Sequence, residues 1–159
     1  MSFNKRRELV SLLMRVMVGF ILIYSGYTKI SEPFENFYLA ILSYKVVGER
    51  IAYITAKTLP WIEVYLGVFL VFGLFLKEVA MACFSLFAVF ELLLLQAIIR
   101  KLEIASCGCF GSSHSNPIGV EFALNVIWLF FLYMSFKFSK KFSLDFLLEN
   151  KFGGNEKNQ

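Results

Sequence analysis

The chain has 159 residues, of which 58% are hydrophobic and 18% charged, with a formal net charge of +4. A soluble domain of this length lies nearer half apolar and a quarter charged, so composition excludes an ordinary water-soluble fold. The positive balance does not indicate nucleic-acid binding, because the basic residues flank apolar blocks and form no patch interleaved with aromatics.

The apolar residues fall in four blocks: residues 9–30, 59–76, 79–99 and 118–136. A hydrocarbon core ~30 Å thick needs about 20 helical residues. Runs such as Leu92 to Leu95 and Leu129 to Leu132 are continuous rather than alternating, which excludes barrel strands. The predicted class is therefore all-α: an integral membrane bundle of four spans over residues 9–138, with residues 1–8 and 139–159 as cytoplasmic ends.

The first block follows Lys5, Arg6 and Arg7, carries Arg15, and has no small-x-small exit before Lys29. It is expected to remain a span rather than to be cleaved. Arg15 is close enough to the cytoplasmic end to extend its charge there. Glu32 and Pro33 end the span, and Phe34, Phe37, Tyr38, Ile41 and Leu42 recur at helical spacing. They predict an amphipathic helix over residues 34–47, lying in the outer interface or capping the bundle.

Pro60 is expected in the first turn of the second span, where its missing N–H costs nothing. Lys77 and Glu78 read as a tight turn pairing the second and third spans as a hairpin. Lys and Arg are more numerous around the N-terminus, this turn and the C-terminus than around the other two connections, which places both termini inside.

The second outer connection, residues 100–117, contains Cys107-Gly108-Cys109-Phe110-Gly111. Thiols at i and i+2 can bridge only through a turn, and Gly108 supplies the freedom such a ring needs. Strained small rings exchange readily, and the outer face meets an oxidising compartment. Thiol–disulfide exchange by Cys107 and Cys109 is the favoured reading. A static disulfide, a soft-metal site completed by His114 and two inert thiols stay open beside it. Cys83 is separated from Ile99 by roughly sixteen helical residues, about 24 Å, and reads as a small buried hydrophobe.

Glu63, Glu91 and Glu121 lie within apolar blocks, and an ionisable group at membrane depth is a functional candidate. Glu63 and Glu121 are expected one turn below the outer ends of their spans, and Glu91 about 12 Å down. Tyr24, Lys29, Gln96 and Asn125 fall in the same outer half. Glu91, Glu63 and Lys29 could handle protons for redox chemistry. The alternative is purely structural: hydrogen bonds between helices, with Lys29 neutralising a carboxylate. Trp61 and several tyrosines suit an interfacial belt. The phenylalanines could form a wall for a quinone, the one cofactor suggested, or could simply face lipid.

The order Gly26-Tyr27-Thr28-Lys29, Glu32-Pro33, Leu59-Pro60-Trp61-Ile62-Glu63 with Gly67, and then Cys107-Gly108-Cys109-Phe110-Gly111, resembles the MauE branch of the DoxX-like membrane proteins. The resemblance covers about residues 9–135. It implies a four-helix DoxX-like bundle in a bacterial inner membrane, associated with methylamine utilisation. It also implies support for maturation of the disulfide-rich small subunit of periplasmic methylamine dehydrogenase. By similarity Cys107 and Cys109 would be the redox pair, with Lys29 and Glu63 at the family's polar positions.

Three functions compete on this reading. The first is a thiol-disulfide oxidoreductase serving an exported client or a thioredoxin-like partner. The second is a non-enzymatic scaffold or accessory subunit for a periplasmic partner. The third is a proton-linked transporter built on the glutamates. The lipid bilayer is a partner in all three.

Overall fold

The computed structural model describes residues 3–102 and 117–138, with side chains over 9–102 and 117–135. These residues form five helices and no strand: α1 (Phe3–Ser31), α2 (Phe34–Ser43), α3 (Glu49–Phe72), α4 (Leu76–Ile99) and α5 (Ile118–Phe138). α1, α3, α4 and α5 are each long and apolar enough to cross a membrane. Their outward faces carry large apolar side chains, among them Phe20, Tyr27, Leu92, Ile99 and Phe130, all more than half exposed. Water would penalise such a surface, whereas hydrocarbon does not. The all-helical membrane bundle expected from composition is the fold found.

The spans run up, down, up, down. Gly19 of α1 lies against Gly67 and Val71 of α3, and Gly26 against Pro60 and Val64, so the two helices are antiparallel. Their backbones approach closely. A Cβ added at Gly26 would stand 2.5 Å from the Pro60 carbonyl oxygen, and one at Gly67 would stand 2.6 Å from that of Gly19. Lipid supplies no hydrophobic drive between helices, so this small-residue contact is what lets α1 and α3 gain dispersion energy. The core below it joins Val18, Leu22, Leu70, Val79, Cys83, Phe87 and Leu132. Cys83 is fully buried there, as a small hydrophobe would be. Ser11 and Ser135 tie α1 to α5 by reciprocal hydroxyl-to-carbonyl hydrogen bonds of 2.9 and 3.2 Å.

α1 begins at Phe3, and its candidate membrane span, Leu9–Ser31, lies where the first span was expected. Three other boundaries differ from expectation. α2 ends at Ser43 rather than at residue 47. α3 starts at Glu49, ten residues before the expected span, and runs straight through Pro60. Its buried stripe Ala52, Ala56, Pro60, Glu63, Gly67, Leu70 steps by three and four, the period of a helix face. Packing of that stripe outweighs the local preference that places proline at a helix start. The first turns of α3 also carry Arg50 and Lys57, which dilute the apolar signal.

The hairpin turn lies at Gly73 to Phe75, not at Lys77 and Glu78, which belong to the first turn of α4. Gly73 adopts φ 70° and its N–H donates to the Phe69 carbonyl, closing α3 with a left-handed cap. Arg15 is only 2% exposed and does not extend to the solvent. Its guanidinium packs over Gly73, within 3 Å of where a Cβ would stand, at the carbonyl-rich end of α3 that favours a cation.

Candidate functional site: a buried ion pair between α1 and α3

Lys29 and Glu63 meet between α1 and α3. The Lys29 Nζ donates to both carboxylate oxygens of Glu63, at 2.8 and 2.7 Å. It also donates to the Ser25 hydroxyl at 2.8 Å, and that hydroxyl in turn donates to Glu63 Oε2 at 3.2 Å. The side chains are 0% and 2% exposed. Ser25 and Lys29 are one turn apart on α1, so the helix period presents both to the same carboxylate. The Phe37 ring of α2 and the Phe90 ring of α4 cover the ammonium, with centroids at 5.2 and 5.5 Å. An ammonium so enclosed draws on ion pairing, hydrogen bonding and ring quadrupoles together to offset its lost hydration.

Glu63 was expected one turn below the outer end of its span. It lies fourteen residues into α3, about 21 Å along the helix axis. It still meets Lys29, two residues from the end of α1, because the first turns of α3 extend beyond α1. α2 folds against that extension: Phe34 stacks on Tyr38 at 5.9 Å and meets Tyr53 of α3 edge-on at 5.2 Å. Phe37 and Tyr44 are buried, so α2 caps the bundle, while Leu39 is 59% exposed.

The ion pair borders a cavity of about 30 Å³ whose polar lining is Ser25, Lys29, Glu63, Glu121 and Asn125. This is the space of about one water molecule. Glu121 is 2% exposed and lies in the first turn of α5, at the shallow position expected. Glu91 is eight residues below the end of α4. Asn125 Nδ2 donates to its Oε2 at 3.0 Å and to the Phe87 carbonyl at 3.1 Å. Among the described residues, Glu91 Oε1 and Gln96 Oε1 are buried with no hydrogen-bond partner. Tyr24 does not join the cluster; it is 48% exposed on the outer face of α1. Trp61 is likewise exposed, mid-way along α3.

Sequence reasoning missed Ser25, Phe37 and Phe90 as parts of this site. Ser25 carried a signal, since it precedes Lys29 by one turn. The two rings carried none, because nothing local distinguishes them from the other phenylalanines.

Cys107 and Cys109 lie outside the described residues, as does His114. The connection that holds them leaves α4 at Arg100 and Lys101 and enters α5 at Pro117. That is the end of the bundle at which Lys29, Glu121 and α2 also lie.

A membrane-embedded four-span bundle with a buried lysine–glutamate pair under a short amphipathic cap is the class this architecture defines. The chain belongs to the MauE family: the family model described as "Methylamine utilisation protein MauE" matches residues 7–137. No curated protein and no solved structure matches the chain.

Proposed function

We propose that this MauE-family protein supports thiol–disulfide maturation of an exported client protein, within methylamine utilisation as the family's description has it. Cys107 and Cys109 are the exchanging pair, at the extracytoplasmic face of the inner membrane, with both termini in the cytoplasm. The observation that carries this reading is the Cys-Gly-Cys sequence in a connection that joins the same end of the bundle as the buried polar cluster.

In the forward step, a client thiolate attacks one sulfur of the Cys107–Cys109 disulfide. The mixed disulfide resolves when the client's second thiolate attacks it. The client gains a disulfide and the protein is left with two thiols. Reoxidation then removes two electrons and two protons, which pass to a membrane-soluble acceptor. Glu91 and Glu63, with Lys29, are the groups this reading assigns to holding or relaying those protons, since they are ionisable side chains inside the apolar spans.

The test combines labelling and genetics. A membrane-impermeant maleimide should modify positions 107 and 109 in intact cells only after mild reduction. Conversion of Cys107 and Cys109 to Ser should abolish the gain in client disulfide yield. Full yield in the double variant would leave a scaffold as the role. Labelling only after permeabilisation would reverse the orientation and remove the proposal.

A further inference from the structure

A second cavity, of about 310 Å³, lies between α2, α3 and α4 and shares its aromatic side chains with the cover of Lys29. Phe37 and Phe90 belong to both places: each lines this cavity, and each has its ring over the Lys29 ammonium. The volume is at the small end of the range of ligand pockets, which are mostly apolar with a few placed polar groups and occur between the helices of bundles. The hydroxyls of Tyr44 and Thr55 are the polar side-chain groups in an otherwise hydrocarbon lining. Val46 and Val89 on its rim are more than half exposed, so the cavity opens on the apolar surface rather than only inward.

We infer that this cavity binds the ring of a membrane-soluble quinone, with Phe37 and Phe90 as the ring's wall and Tyr44 and Thr55 as hydroxyl donors to its carbonyl oxygens. The inference rests on the redox reading above and identifies its acceptor. The ligand class follows from four features. Entry through an apolar rim selects a lipid-soluble molecule. Paired aromatic walls suit a flat ring, because offset or edge-on ring contacts are worth ~0.5–1.5 kcal/mol beyond the area they bury. Hydroxyl donors suit a carbonyl acceptor and would do nothing for an acyl chain. The Lys29–Glu63 pair, whose ammonium both rings cover, puts a proton-bearing group near the place where charge would develop.

The chemistry balances. The dithiol of Cys107 and Cys109 loses two electrons and two protons as the S–S bond forms. The quinone gains two electrons and two protons and leaves as the quinol. No further oxidant is needed.

The test uses the purified full chain in nanodiscs with decylubiquinone as ligand and an azidoquinone as photoprobe. Saturable labelling is expected on α2 and α4 peptides, displaced by decylubiquinone but not by a decyl-chain amphiphile without the ring. Val89→Trp, a rim change that places bulk in the cavity without disturbing the ion pair, should weaken binding at least tenfold. Val126→Trp, on the exposed face of α5, should leave it unchanged and reports on general disruption. Tyr44→Phe together with Thr55→Val should weaken quinone binding severalfold.

Equal displacement by the ringless amphiphile would make the cavity a hydrocarbon slot and overturn the assignment. So would full binding in the Val89→Trp protein. The same measurements on the Cys107→Ser, Cys109→Ser protein separate the two proposals. Binding there should persist, so inert thiols with an intact quinone site would sink only the maturation role. Active thiols with no quinone binding would sink only this site.

Discussion

The α1–α3 seam and the α4–α5 contact solve the same packing problem in different ways. Along the seam, Gly19, Gly26 and Gly67 let two backbones nearly touch, and a fully buried ion pair bridges the helices. Among the described residues no such glycine contact exists between α4 and α5: Gly119 of α5 has none of them within 4 Å of where a Cβ would stand. Large side chains, including Phe87, Trp128 and Leu132, meet there, and Asn125 gives the polar tie. The difference teaches where this bundle keeps rigidity and where it keeps room. Close backbone approach holds charged groups in register, while bulkier contacts leave space. A groove of about 170 Å³ lies between α4 and α5 near Lys77 and Tyr133, and the 310 Å³ cavity lies on the far flank of α4.

The comparison breaks most easily at the ion pair. Lys29→Met leaves Glu63 buried without its cation, and should cost about 3–5 kcal/mol in detergent unfolding followed by circular dichroism. The double variant Lys29→Met, Glu63→Leu should recover most of that loss, since an apolar pair has no desolvation to offset. If the single variant is as stable as the parent, the seam does not depend on charge at all.

Next in size is the glycine contact. Gly67→Val drives two methyl groups into the backbone of α1 and should destabilise by about 1–3 kcal/mol. Gly119→Ala, made in open space, should be neutral or raise stability by about 0.5–1 kcal/mol through helix propensity. Equal effects at the two positions would erase the contrast between seam and contact. Gly73→Ala at the hairpin should cost about 1 kcal/mol or more, because φ 70° is strained for alanine and the Cβ meets the Arg15 guanidinium.

The smallest expected effect is Asn125→Ala. Hydrogen bonds between membrane helices average ~0.6 kcal/mol, and a loss of that order in the same unfolding measurement would place this tie among them. A loss as large as that of Lys29→Met would make α4–α5 a second rigid seam.

The site was partly legible. Lys29, Glu63, Glu91 and Glu121 were visible because a charge in an apolar block stands out against its neighbours. Their partners were not. Pairing of Glu63 with Lys29 rather than with another group depends on how far α3 extends beyond α1, and no local pattern sets that offset. The start of α3 was hidden by Pro60, whose strong local meaning as a helix opener is overridden by a buried stripe packed on α1 and α2.

The amino-acid sequence by itself determined the number of spans and their helical character, because length and apolar continuity leave lipid-embedded backbone few alternatives, and its motifs carried the family. Tertiary structure alone decided which charges meet, which rings cover them and where empty space remains. Those outcomes depend on the relative height and spacing of helices far apart in the chain, of which the glycine contacts between α1 and α3 fix one pair.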